Sequence, residues 1–287
     1  MLSKRQFIKT AAYLSASIIL PNPSYANNLS LNKQVQNAIQ KMRLDDRIAN
    51  DEKTVWLATD IHTGRAFLEI NPNQPMQMAS MVKPLVIQAY LYCHYLKNPQ
   101  LYPLNDRIME EMRAMIVKSN NTFTNYLFKR LGGPQGVQWM LRKQAPNIFR
   151  NIHIVENIPS GGKTYLNKAT AADYTRFMHA LWRNQLPGAE ILKNLMSIKN
   201  HNRITVNTQH IPNTLTVYDK TGSTSRLCGN FGIIDYHDSR GNSRPYTFTG
   251  IIEKKHSAKN YASWITSRSN VMREISDIVY LFISQQS

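Results

Sequence analysis

Between Asn32 and Ile48 the apolar residues Val35, Ala38, Ile39, Met42 and Leu44 recur at mostly helical spacing, which predicts an opening amphipathic helix. Two strand-like runs follow, Thr54 to Thr59 and Arg65 to Ile70, and Asp60-Ile61-His62-Thr63-Gly64 between them reads as a hairpin connection. From Met81 to Lys97 the chain is almost wholly apolar, as expected of a helix buried on most sides, with Pro84 tolerated in its first turn. A further helical region is predicted from Asp106 to about Leu131, ended by Gly132-Gly133-Pro134, and Thr170 is placed to cap another helix running through Trp182. The last third changes period. Thr214 to Tyr218, Gly229 to Tyr236 and Tyr246 to Ile252 read as strands, separated by turn-rich Lys220 to Arg226 and Asp238 to Asn242, and a closing helix begins at about Ala262. This order predicts a mixed α/β fold in which distant strands pair, with a helical subdomain inserted between them and a cleft shared by the two lobes.

A chain of 287 residues with 42% hydrophobic and 18% charged side chains can bury a substantial core without a metal or disulfide staple, and is not mainly disordered. Its net charge of +17 biases the surface towards anionic partners, although the basic residues are dispersed and equally describe a solvated lysine-rich surface. The first 26 residues narrow the choice. Lys4, Arg5 and Lys9 precede an apolar stretch, Thr10 to Leu20, and Ser24-Tyr25-Ala26 supplies a small-residue end, the pattern of a cleaved signal peptide. Ser3 to Lys9 resembles a twin-arginine export motif with Lys4 in place of the first arginine. Export to the periplasm or beyond is therefore expected, with no nucleic-acid partner and no stable membrane span once the segment is removed. Cys93 and Cys228 form neither a disulfide framework nor a C-x-x-C site, and their pairing is left open. The eight histidines show no ligand spacing, so neither metal nor cofactor is expected.

Three S-x-x-K matches occur, at Ser30, Ser80 and Ser160. Only Ser80 follows a strand pair and opens a buried helix. One helical turn brings the Lys83 amine within reach of the Ser80 hydroxyl, and a desolvated lysine can take that proton and make the serine a nucleophile. The helix N-terminus adds unpaired N–H groups for charge that develops in acyl transfer. Ser119-Asn120-Asn121 and Lys220-Thr221-Gly222 complete the pattern. A second serine relays a proton to a leaving nitrogen, an asparagine amide holds a substrate carbonyl, a lysine keeps the site positive, and Gly222 permits close approach of substrate.

In these three motifs the chain resembles the penicillin-recognising serine enzymes, most closely the class A β-lactamases, whose signatures are S-x-x-K, S-D-N and K-T-G. The resemblance runs from about Thr54 to the C-terminus. It implies an antiparallel sheet flanked by N- and C-terminal helices (about 27–75 and 205–287) with a helical lobe at about 76–204, all in one catalytic domain over 27–287 and most simply a monomer. It further implies Ser80 as acylated nucleophile, Lys83 as base or relay, Ser119 as relay to the leaving amine, Asn121 as an amide contact, Lys220 and Thr221 as a carboxylate site, and the N–H groups of Ser80 and Ser223 as oxyanion hole.

Four departures qualify the match. Asn120 replaces the usual aspartate, a residue that mostly braces its loop. The 39 residues from Ser80 to Ser119 imply a trimmed helical lobe and a more open cleft. Phe231 stands where an arginine is frequent, leaving Arg226 as a substitute anchor for a substrate carboxylate. The water-activating glutamate, with an asparagine four residues on, is matched only by Glu156, which is followed at that distance by Ser160 and reads equally as the end of a strand at Ile152 to Val155. The expected activity is a serine acyl-enzyme acting on a β-lactam or a D-Ala-D-Ala-type amide of peptidoglycan. The alternatives are a penicillin-binding peptidase with slow deacylation and a non-catalytic peptidoglycan-binding protein.

Overall fold

The computed structural model describes residues 23–159 and 162–285. Most of the expected signal segment and the Ser160 position lie outside the described residues. Five antiparallel strands form the main sheet in the order β2-β1-β7-β6-β5: β1 (Lys53–Asp60), β2 (Ala66–Ile70), β5 (Thr216–Thr224), β6 (Leu227–Asp235) and β7 (Tyr246–Glu253). β1 pairs with β7 along its whole length, Lys53 opposite Glu253 and Asp60 opposite Tyr246, which closes the sheet between the two ends of the chain.

The inner strands are buried on both faces, so they lack the half-polar alternation of a one-sided sheet. Side chains of β1 still alternate between two cores. Val55 and Leu57 join the helical lobe, whereas Trp56 and Ala58 pack beneath α1 (Pro23–Leu44) and α8 (Tyr261–Ser284). Leu31, Val35, Ile39 and Met42 of α1 and Val271, Ile275, Val279 and Ile283 of α8 recur every three or four residues and cover that face. Gly250 makes room for Trp56, whose ring carbon would lie 2.7 Å from an added Cβ. Among the described residues no helix is long and apolar enough to cross a membrane.

The opposite face carries α2 (Lys83–Leu96), α3 (Asp106–Val117), α4 (Asn121–Arg130), α5 (Gly133–Gln144), α6 (Ala171–Trp182) and α7 (Ala189–Met196). A two-stranded ribbon, β3 (Met76–Gln77) with β4 (Lys168–Ala169), ties the entry of α2 to the segment before α6. Thr170 caps α6 in a reciprocal capping box with Asp173, as its position predicts.

The structure corrects the sequence reading at several points. The single helix expected over Asp106 to Leu131 is two, because Ser119 adopts φ +57° and the Asn120 carboxamide starts α4 by accepting from Phe123 N at 3.1 Å. Gly132-Gly133-Pro134 ends α4 but also opens α5, since proline in the first helical turn lacks only an N–H that would be unpaired there. Neither α5 nor α7 was expected. Lys220 to Thr224 is strand rather than turn, and the β5–β6 connection is only Ser225-Arg226. Ile152 to Val155 makes a single bridge, His153 to Lys168, instead of a strand. Cys93 and Cys228 are both free and buried, and Cys228 packs in the α1/α8 core.

Candidate active site

Ser80 lies in a 3₁₀ turn, Ala79–Val82, that leads into α2. Ala79 is held at φ +45°, an unfavourable conformation for a side-chain-bearing residue that persists because Met76, Met78, Met81 and Val82 are locked in the core around it. Lys83, the first residue of α2, sits one turn after Ser80 and is wholly buried. Its Nζ donates to Ser80 Oγ at 2.7 Å, to Asn121 Oδ1 at 2.8 Å and to Ser119 Oγ at 3.2 Å. Burial, reinforced by the charge of Lys220, lowers the Lys83 pKa to about 7.

The positive φ of Ser119 turns its hydroxyl towards this amine while Asn120 faces away. The Asn120 carbonyl accepts from Thr124 Oγ1 at 2.6 Å and its side chain reaches Phe123 and Glu111, so it braces the turn. β5 supplies the third side. Ser80, Ser119, Asn121, Thr221 and Ser223, together with Ile158, Gly162 and Thr164, line one cleft of about 250 Å³. At Gly222 an added Cβ would lie 2.9 Å from both Met78 O and Met81 Cγ. What approaches this glycine is therefore the turn that carries Ser80, not the substrate expected from sequence.

Lys220 is buried beside Asp219 and donates to Thr221 O at 3.1 Å. Burial lowers its pKa to about 8; Asp219 opposes the shift and Arg203 adds to it. Asp219 is itself buried and accepts from Asn230 at 2.8 Å and Asn200 at 2.9 Å. A two-residue hairpin turn makes Thr224 and Leu227 the hydrogen-bonded pair, so by alternation the main-chain N–H of Ser223 points to the open edge of β5.

Two expected residues lie elsewhere. Glu156 is not itself among the cleft-lining residues; its Oε1 accepts from Thr164 Oγ1, which does line the cleft, at 2.5 Å and from Leu166 N at 2.6 Å. From that segment Ile158, Gly162 and Thr164 line the cleft, and Ile158 is pinned by Asn125, whose side chain accepts from Ile158 N at 2.9 Å and donates to Ile158 O at 2.7 Å. Arg226 sits at the tip of the β5–β6 hairpin, stacked 4.5 Å over the Tyr165 ring, and is not among the cleft-lining residues. Phe231 is core, stacked on Tyr174.

Sequence reasoning missed Arg203. Its buried guanidinium donates to Ser223 Oγ at 2.6 Å, Gly229 O at 2.8 Å and Ser269 Oγ at 2.9 Å, and so holds the cleft edge of β5 with a fixed positive charge behind it. It lies in an irregular stretch with no motif to mark it. Among the described residues no cluster of three or more His, Cys, Asp or Glu side chains is placed to hold a metal.

Several solved structures share this architecture. A class A beta-lactamase from Bacteroides cellulosilyticus aligns with TM-score 0.68 and 16% identity over 89% of this chain and 99% of that one. A beta-lactamase from Streptosporangium roseum aligns with TM-score 0.69 and 15% identity over 89% and 98%. A mutant of PBP-A, solved as an acyl-enzyme complex with penicillin G, aligns with TM-score 0.66 and 17% identity over 90% and 97%. At such identities the likeness is one of fold. No curated protein matches the sequence. A sequence profile of the beta-lactamase enzyme family matches residues 93–283, a span that holds the second and third motifs and begins after Ser80 and Lys83. With two thirds of its length matched by that profile and its whole architecture shared with β-lactamases, the chain belongs to the beta-lactamase enzyme family.

Proposed function

We propose that this protein is a serine acyl-enzyme of the penicillin-binding peptidase type, which opens a β-lactam or cleaves a D-Ala-D-Ala-type amide through Ser80 and releases the penicilloyl group slowly. The observation that carries this reading is the Lys83 amine, buried, shifted towards neutrality and within 3.2 Å of both serine hydroxyls and the Asn121 amide. In its neutral form the amine accepts the Ser80 proton as Oγ attacks the carbonyl carbon. The N–H groups of Ser80 and Ser223 receive the oxyanion. Ser119 passes a proton from Lys83 to the leaving nitrogen as the C–N bond breaks, which leaves an ester on Ser80. Asn121 holds the substrate amide, while Lys220, Thr221 and the charge of Arg203 favour a substrate carboxylate.

Slow release follows from what faces the ester. Ile158 lines the cleft together with Gly162 and Thr164, none of them a base, and the only carboxylate of that loop among the described residues, Glu156, is engaged by Thr164 and Leu166. Without a base to activate water, a loss of about 4 kcal/mol in barrier lowering slows hydrolysis roughly a thousandfold. In the same reading residues 1–26 are an export segment that delivers a single catalytic domain to the cell envelope, where peptidoglycan peptides lie.

Labelled penicillin mixed with the protein and followed by intact mass tests this. A persistent adduct on Ser80 is expected. A transient adduct with rapid ring opening would instead indicate a β-lactamase, and no adduct a binding protein.

A further inference from the structure

Outside the cleft, the described residues expose an aromatic and cationic surface that the chemistry at Ser80 does not use. α2 and α4 both begin at the active site, with Lys83 and Asn121, and α2 runs for 14 residues, roughly 20 Å, before it ends. Around the ends of these helices and on the outer side of α5, which packs against both, Leu96, Leu101, Tyr126 and Trp139 are 42–55% exposed. Cations are interleaved among them. Lys143 and Lys97 lie 4.6 Å and 5.7 Å from the Trp139 ring, and Arg130 stands 5.6 Å over Tyr102 and 6.0 Å over Tyr126 while donating to the Leu101 carbonyl. Arg130 thus gathers Tyr126, Tyr102 and Leu101, and Lys97, four residues before Leu101, reaches Trp139. At its edge a cavity of about 180 Å³ is lined by Tyr90, Phe123 and Tyr126 and by Arg107 and Arg130.

Exposed leucine, tyrosine and tryptophan side chains are unfavourable against water, and a ring flanked by two ammonium groups is poorly suited to a purely apolar partner. The combination matches a headgroup layer, in which amphipathic rings sit at the boundary and basic side chains meet phosphates. Charge favours the same occupant, since residues 84–150 hold nine basic and three acidic side chains. We propose that this face docks on the surface of an anionic phospholipid bilayer, with Leu96, Leu101 and Trp139 entering the headgroup layer and Lys97, Lys143, Arg107 and Arg130 pairing lipid phosphates. Docked this way, the chain presents the opposite end of α2 and α4, and with it the cleft, away from the bilayer. The inference does not depend on which reaction the cleft performs.

The full chain is tested against phosphatidylcholine vesicles with and without a minority of phosphatidylglycerol. Of the four tryptophans, Trp56 and Trp264 are buried and Trp182 half-buried, so Trp139 is the exposed reporter. Binding to the anionic vesicles is expected to be salt-sensitive and to shift to the blue the emission component that Trp139→Phe removes. The combined Lys97→Glu and Lys143→Glu exchange is expected to reduce partitioning by about tenfold or more, with thermal unfolding and acylation by penicillin unchanged. Because these variants keep residues 1–26, binding through that apolar segment alone would leave the Trp139 emission unshifted and the charge reversals without effect, and either result overturns the proposal. Equal binding to both vesicle types also overturns it, as does lipid-free self-association that Trp139→Ser abolishes, which would assign the face to a second copy of the chain.

Discussion

Replacing Lys83 with methionine should abolish acylation and, at neutral or lower pH, make the protein more stable. The folded state holds the Lys83 pKa at about 7 against an ordinary value of 10.5, mainly through burial. At 1.36 kcal/mol per unit, the charged lysine costs the native state about 5 kcal/mol wherever it is protonated in both states, that is, below pH 7. Between pH 7 and 10.5 the unfolded chain binds the proton and the native chain does not, so wild-type stability from this group rises by about 1.4 kcal/mol per pH unit. Methionine keeps the volume and removes the charge, at the loss of hydrogen bonds to Ser80, Ser119 and Asn121 worth about 1–2 kcal/mol, since all three acceptors border the cleft and can take water instead. The net expectation is a gain of about 3 kcal/mol at pH 6, or a rise in Tm of roughly 6–12 °C, shrinking to near zero by pH 9. Thermal unfolding of both proteins at the two pH values measures it. A variant destabilised at pH 6, or shifted equally at both, would refute the claim that the amine is held against its preference for water.

Four further outcomes follow from the same geometry. Ile158→Glu places a carboxylate in the cleft at a site now 3% exposed; penicilloyl hydrolysis should accelerate by about 10²–10⁴, read as adduct lifetime by mass spectrometry. An unchanged lifetime would show that water activation is not what limits release. Glu156→Ala removes the acceptor for Thr164 and Leu166 and should lower stability by about 2 kcal/mol in thermal unfolding, with hydrolysis of the adduct nearly unaffected. Slower hydrolysis at unchanged stability would return Glu156 to the role expected from sequence. Gly222→Ala drives a methyl into Met78 O and Met81, and should cost about 1–3 kcal/mol and weaken acylation by pushing β5 away from Ser80. The acylation rate constant should rise with pH through about 7 as Lys83 loses its proton and fall above about 8 as Lys220 loses its own, a bell whose limbs belong to the coupled pair and are read by stopped-flow acylation.

Much of the fold was legible because its signals are local. The stripes of α1 and α8, the β1–β2 hairpin, the Thr170 cap and the proline in the first turn of α2 each follow from residues within a turn or two of one another. The failures share a cause. Lys220 to Thr224 carries lysine, glycine, serine and threonines, a turn-like composition, yet it is strand because β6 pairs with it and the Ser80 turn packs on it. α5 begins at Gly133, where a glycine read as a stop is also a start, and α7 begins after Gly188, a glycine that carried no start signal in the sequence.

The site divides along the same line. Ser80 and Lys83 are one helical turn apart, so their contact follows from α2 alone. Ser119 and β5 join them only through tertiary packing, and the motif order stood in for that packing. No such substitute existed for the loop after Val155. A search by residue type selects Glu156 because it is acidic, whereas the fold selects Ile158, since Asn125 on α4 clamps both main-chain groups of residue 158 from 33 positions away. Asn167 fixes the other side by accepting from the N–H groups of Val155 and Glu156 at 2.8 and 3.0 Å and donating to the Glu156 carbonyl. With the backbone held at both points, the Glu156 side chain does not line the cleft itself and is satisfied by Thr164 and Leu166. Two asparagines outside the cleft lining, Asn125 and Asn167, thus fix the backbone that places residue 158 on the cleft, and an acidic residue transferred to that position would be presented by the same frame.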